Sequence, residues 1–261
     1  MSRVTQEFGP DVYAPLEIID GVKPISQFGY NGDVDSAAAE DVWSQGGSFA
    51  APTTARVHAV VSGSANDAAA GTGARTVTIH GLDANWEEAS ETVTLTGTTP
   101  VNTTGSYVMI NKMVVATAGS GGVAAGAITA TAATDSTVTC AIEAAQNQSR
   151  QAIFAIPAGY TGVIQTVSGG CTVADASAVE LSLTVKEFGG VFREVALIPS
   201  VLAAGKEKKF NPGIKVPAKS IVKLRAKANA DDTTFYAGFE GLYILNTKIT
   251  GATDISKSFV L

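Results

Sequence analysis

Few side chains in this sequence combine a reactive type with a useful spacing. His58 and His80 each sit inside an alternating, β-branched stretch, far from one another and from any acid or nucleophile in a known signature, and they read as pleat residues of strands. Gly46-Gly47-Ser48-Phe49-Ala50 lacks the second glycine of a serine-nucleophile elbow. Cys140 and Cys171 are 31 residues apart, without metal-ligand spacing or a disulfide framework. The carboxylates Glu40-Asp41, Glu87-Glu88 and Asp231-Asp232 come as neighbours. Neighbours on a strand point to opposite faces, whereas a hydrolytic pair must face itself across a cleft. Asn31-Gly32-Asp33-Val34-Asp35 opens like a calcium loop. Ser36 at its sixth position and Val42 at its twelfth remove the tight turn and the closing bidentate ligand, so it reads as an Asx-rich turn. Gly71-Thr72-Gly73-Ala74-Arg75 and Gly119-Ser120-Gly121-Gly122 are glycine loops with no helix behind them to hold a phosphate. The expectation is no enzyme, no cofactor and no metal centre.

The elements that would position any site are strands. The stretch RTVTIHGLDANWEEASETVTLTG, residues 75–97, holds two alternating runs around Gly81-Leu82-Asp83-Ala84-Asn85, which predicts a β-hairpin. Further strands are expected at 53–61, 107–116, 127–131 and 137–142. The second half repeats this pattern. At an offset of 106, Val61-Ser62-Gly63 falls on Val167-Ser168-Gly169, Thr76 to Ile79 on Ser182 to Val185, and Trp86 on Phe192; at an offset of 97, Thr137 to Glu143 falls on Thr234 to Glu240. The fold class expected is all-β: two tandem β-sandwich, jelly-roll-like units at residues 49–150 and 151–250, each near the usual sandwich size. An extended N-terminal arm, residues 1–48, would precede them and a tail, residues 251–261, would follow. Proline and glycine punctuate the arm, and Phe8, Tyr13, Phe28, Tyr30 and Trp43 are spaced along it as anchors, either on the chain's own domain or on a neighbouring subunit.

Composition agrees with thin, turn-rich sheets. Only 16% of residues are charged, Gly numbers 27, and the net charge is −6. That balance gives no reason to expect nucleic-acid binding. The charge is divided: residues 1–150 carry 15 acids and 6 bases, residues 151–261 carry 9 acids and 12 bases. Most of the basic excess lies in KEKKFNPGIKVPAKSIVKLRAK, residues 206–227, where Lys219 to Lys227 reads as a strand with one solvated face. Lys206, Lys208 and Lys209 either guard an edge strand or meet an acidic partner surface. No signal-like apolar stretch and no membrane-length run is visible, so no membrane is expected, and folding or assembly in cytoplasm is.

One block resembles a known group. Residues 41–131 carry A-x-G-T-G-A-R (Ala69 to Arg75 here), G-L-D (Gly81-Leu82-Asp83), E-T-V-T-L-x-G (Glu91 to Gly97) and A-T-A-G-S-G-G (Ala116 to Gly122). In these it resembles virion structural proteins of tailed bacteriophages. The resemblance implies a non-enzymatic virion component of the capsid cement or decoration type. Such a protein would sit on the capsid surface as a homo-oligomer, a trimer, and bind the major capsid protein by many contacts multiplied through symmetry. Removal of residues 1–40 would then abolish binding and leave the β units folded. Two alternatives stay open: a tail fibre, head fibre or baseplate component, and a carbohydrate-binding adhesive sandwich with Trp86 and Phe192 as its aromatic platforms.

Overall fold

The computed structural model describes residues 15–16, 19–171, 178–201 and 205–250. The chain is nearly all β. Among the described residues, sixteen strands precede one short helix: β1 (Val22–Val34), β2 (Glu40–Asp41), β3 (His58–Ser62), β4 (Ala74–Leu82), β5 (Glu88–Thr94), β6 (Val101–Asn102), β7 (Met109–Ala118), β8 (Ile128–Ala132), β9 (Thr137–Ile142), β10 (Ile153–Ala155), β11 (Tyr160–Cys171), β12 (Val179–Lys186), β13 (Phe192–Val201), β14 (Lys206–Val216), β15 (Ile221–Ala228), β16 (Thr233–Leu245) and α1 (Asn246–Thr250). They form four small antiparallel sheets. Sheet I runs β6-β3-β8-β9, sheet II β5-β4-β7, sheet III β1-β16-β11-β14, and sheet IV β10-β15-β12-β13 with β2 also pairing on β15.

Alternation builds the cores. In β3 and β8 every second residue is buried, which turns Val60, Ile128 and Ala130 inward against Val77, Ile79 and Met113 of sheet II. The expected hairpin forms as β4 and β5, with Val77 opposite Val93. Sheets III and IV face each other in the same way over Ile164, Val167, Leu181, Leu183, Leu224, Phe235 and Phe239. Phe235 and Phe239 are fully enclosed, a burial worth about 2–3 kcal/mol each. A third cluster, with Trp43, Phe49, Leu82, Met109, Ile153 and Ile221, fuses the two pairs of sheets.

The expected tandem pair of sandwiches with a separate arm is therefore corrected. The stretch expected to be an extended arm is, over Val22–Val34, an integral strand that pairs along β16 from Val22↔Ile244 to Val34↔Thr233. Glu40 and Asp41 follow it into sheet IV against Ala226 and Arg225. Ile25, Val34 and Val42 belong to the core between sheets III and IV. Removing residues 1–40 would open that core, because the apolar side chains that β1 covers have no other cover.

The repeat survives in topology but not in the expected alignment. The order β6-β3-β8-β9 of sheet I matches β14-β11-β16-β1 of sheet III, and β5-β4-β7 of sheet II matches β13-β12-β15 of sheet IV. So β16 stands where β8 stands, and the place of β9 is taken by β1 from the other end of the chain. The offset of 97, which laid β9 on β16, fails for this reason. At the offset of 106, a register irregularity between Ile164 and Thr166 displaces β11 by one residue. Val60, not Val61, is thus the buried counterpart of Val167. A one-residue slip exchanges the faces of a strand.

Gly29 shows how tightly β1 is fitted. A Cβ there would lie 2.1 Å from the Val42 carbonyl oxygen and 2.5 Å from the Ala152 amide nitrogen. These two backbone groups are hydrogen-bonded to each other at 2.9 Å. Neither can move without breaking sheet IV. Gly29→Ala is expected to cost about 1–3 kcal/mol through overpacking, read as a lower urea midpoint with an unchanged slope.

Candidate functional site

The reactive side chains are absorbed by the fold. His58 is buried in the first core. Its Nδ1 lies 2.9 Å from the Arg56 carbonyl oxygen, and burial pulls its pKa down, which keeps the ring neutral. His80 lies on β4 in the other sheet of that pair, its pKa lowered by burial and by Lys112. Cys140 and Cys171 are buried in different cores as free thiols, and burial pushes the Cys140 thiol up to about 12. Glu88 is held by Lys23 and by the Tyr243 hydroxyl, which donates to it at 2.6 Å. Asp231 accepts from the Ser36 amide and hydroxyl, which hold its carboxyl below the usual range.

The calcium-like run comes closest to a metal set. Carboxylate oxygens of Asp33, Asp35 and Asp232 lie within 4.8 Å of one another, and Asp33 is pushed up by Asp232 and then by Asp35. Asn31, the first residue of the run, does not join them. Its amide nitrogen turns inward to the Glu40 carboxylate at 3.0 Å and the Asp41 carbonyl at 3.3 Å, and its Oδ1 accepts from the Asp33 amide. The run behaves as an Asx turn at the end of β1 with three solvated acids around it.

The glycine loops do cradle an anion, but it belongs to the chain. Asp67 is fully buried. Its carboxylate accepts from the Ala74 amide at 2.6 Å, the Ala125 and Gly126 amides at 2.9 Å and the Ser62 hydroxyl at 2.6 Å. Gly73 leaves the room, since a Cβ there would lie 2.2 Å from Asp67 Oδ1. The second loop closes over the first through Gly119 N–H to Gly73 O and Gly121 N–H to Thr72 O, both 2.8 Å. Nothing in the sequence reading singled out Asp67. Its signal was an acid lodged among small residues just ahead of the first glycine loop.

One face open for binding among the described residues is the outer face of sheet III. Side chains on β1 and β16 that point away from the core include Phe28, Tyr30 and Tyr236. Phe28 and Tyr236 are 43% and 42% exposed, which is high for large aromatics on a sheet. Tyr30 and Tyr236 are register partners with ring centroids 5.0 Å apart, and the Arg150 guanidinium lies 5.5 Å from the Tyr30 ring. Beside them runs a groove of about 690 Å³ lined by Phe28, Gly238, Gly170, Ser168, Lys206 and Tyr236. Its middle is floored by glycine because Gly238 sits opposite Phe28. Matching Val60 with Val167 as buried centres of their strands puts Ala141 of sheet I where sheet III has Phe28. The architecture alone does not call for an aromatic there.

The expected contact residues thus separate. Phe28 and Tyr30 share the open face, and Lys206 borders its groove. Trp43 is buried at the junction of the sheet pairs, its indole N–H donating to the Gly46 carbonyl at 2.7 Å and its ring edge-on to Phe49. Lys206 and Lys208 reach the edge strand β13, donating to the Pro199 and Leu197 carbonyls at 3.0 and 3.5 Å, while Lys209 pairs with Glu207. Phe8 and Tyr13 lie outside the described residues. Trp86 and Phe192 both turn to the junction: Trp86 meets Phe188 edge-on at 5.7 Å, and the Lys223 ammonium lies 4.2 Å from the Phe192 ring centroid. The sequence reading missed Tyr236. Its phase was the signal, since it falls one residue out of step with the inward Phe235 and Phe239. The strand with Lys219 to Lys227 also differs from expectation: Lys223 is 5% exposed rather than solvated, because Asp41 covers it.

No family model matches the chain, and no curated protein does. Among solved structures, a chain of "Structure of infectious bursal disease virus Gt strain" is similar over 87% of this chain and 73% of its own, at 10% identity and a TM-score of 0.26. A chain of "Structure of infectious bursal disease virus Gx strain" is similar over 86% and 72%, again at 10% identity and a TM-score of 0.26. A likeness of that size carries no argument about function.

Proposed function

We propose that this chain is a structural virion protein of the tailed-bacteriophage kind, a capsid cement or decoration protein. It acts by binding the major capsid protein shell, as a trimer, and catalyses nothing. The sequence resemblance across residues 41–131 supports the class. The observation that carries the mode of action is the exposed aromatic face of sheet III, mounted on a scaffold whose candidate acids, bases and thiols serve the fold. Phe28 and Tyr236 are the anchors in this reading, flanked by Tyr30 and by the polar rim at Lys206 and Glu240.

The test pairs two measurements on particles. Copy number relative to the major capsid protein separates a shell component, in hundreds of copies, from a fibre or baseplate component at a few. Phe28→Ala combined with Tyr236→Ala is expected to weaken shell binding at least tenfold, the usual scale for losing a central aromatic contact. The thermal midpoint should stay where it was, because both rings are substantially exposed. Undiminished decoration by that variant would sink the assignment of the face.

A further inference from the structure

Sheets I and III have the same strand order but are completed differently. Sheet I closes itself: β8 turns through residues 133–136 into β9. In sheet III the corresponding place is a meeting of chain ends. β16 finishes beside the start of β1, with the Leu245 amide donating to the Gly21 carbonyl at 2.7 Å and Lys248 pairing with Asp20 at 2.6 Å. The segment that fills this place is one continuous stretch, residues 19–49, held by β16, β15 and the residues before β10. It brings Ile25, Val34 and Val42 to the core. It also brings Asp41, which meets Lys223 at 2.6 Å and accepts from the Phe49 amide of its own segment at 2.6 Å. Among the described residues, no main-chain hydrogen bond holds residues 50–55, which join the segment to the rest; the ladder resumes at Arg56 with Tyr107.

We propose that residues 19–49 are exchanged between copies of this chain, the segment of one copy completing sheets III and IV of another. Every contact that holds the segment in place is available unchanged on a second copy, so exchange adds no new interface to be optimised and only residues 50–55 need to reorient. Exchange of an identical element is a low-cost route to assembly. Crowding of copies at one place raises the effective concentration that favours it. The inference rests on the sheet topology and stands apart from the proposal about the capsid.

Ser26 and Glu240 are register partners on the outward face, which makes a disulfide trap across β1 and β16 feasible. Cys140 and Cys171 are buried and do not compete under native conditions. Full-length S26C and E240C chains are mixed at high protein concentration and oxidised, with the S26C/E240C chain at high dilution as the control for the bond itself. The expected result is an interchain S26C–E240C disulfide at least tenfold more abundant than S26C homodimer, with the control closing within one chain. A mixture that yields no such heterodimer while the control closes would overturn exchange. So would homodimers in equal amount, which report face-to-face collision. A control that closes neither within nor between chains would overturn the register on which the proposal stands.

Discussion

Asp41→Asn is expected to lower stability by about 3–5 kcal/mol, the scale for breaking a buried ion pair from one side. Asp41 is fully buried, Lys223 is 5% exposed, and their charged atoms are 2.6 Å apart. Arg225 Nε lies 3.4 Å from the other carboxylate oxygen. The carboxylate also accepts from the Phe49 amide, so it ties β2, the turn after it and β15 at one point. Burial pulls the Lys223 pKa down, and Asp41 is the group that works against that. An asparagine keeps the shape and removes the charge, which leaves a buried ammonium against a neutral amide. The measurement is the urea midpoint followed by Trp43 emission, since Trp43 sits two residues away at the junction of the sheet pairs. Asp41→Asn combined with Lys223→Met should recover a large part of the loss, because the buried ammonium is then gone and the part-exposed Arg225 still donates to the Ala39 carbonyl. Equal instability of the single and double variants would refute the ion pair as the cause.

Asp67→Ala is expected to cost about 3 kcal/mol, since it strands the buried Ala74 amide and Ser62 hydroxyl and removes the acceptor of the part-buried Ala125 and Gly126 amides. Those donors come from loops at Ala74 and at Ala125-Gly126, so the damage is expected in sheets I and II first. Hydrogen exchange should show lost protection over residues 123–128 and 74–79 before β11 or β16 changes. The pH dependence follows from the direction of the shift. Burial alone would raise the Asp67 pKa, but the hydrogen bonds from Ser62, Ala125, Gly126 and Ala74 outweigh it and leave the carboxyl below its ordinary 3.8. The folded state therefore binds this proton less readily than the unfolded chain. Its contribution is fully present above the unfolded value and is lost as pH falls through the lower folded value. Asp67→Asn should flatten that part of the acid-unfolding curve. An unchanged acid limb would show that Asp67 is not a determinant of it.

These two carboxylates mark the boundary between what is legible in a sequence and what is not. Strands are local facts: Thr76-Val77-Thr78-Ile79 and Glu91-Thr92-Val93-Thr94 alternate, and they pair as a hairpin because the turn residues between them leave no other short path. The all-β class is readable in the same way, since it depends on spacing along a few residues, whereas the alignment of the repeat is not, because tertiary pairing decides which strand stands in which place. The aromatic face was half readable, because Phe28, Tyr30 and Tyr236 show their types but not their company.

By itself, then, the sequence determined the all-β class, most of the strands between residues 53 and 142, and their inward and outward phases between bulges. The tertiary structure alone decided which strand completes which sheet. Proline and glycine make β1 read as an arm, and its partner β16, which shows that it is a strand, lies some two hundred residues away. It also decided that Asp41 and Lys223 are one buried pair rather than two solvated charges. Burial of a charge depends on what covers it, and here the cover arrives from the opposite end of the chain.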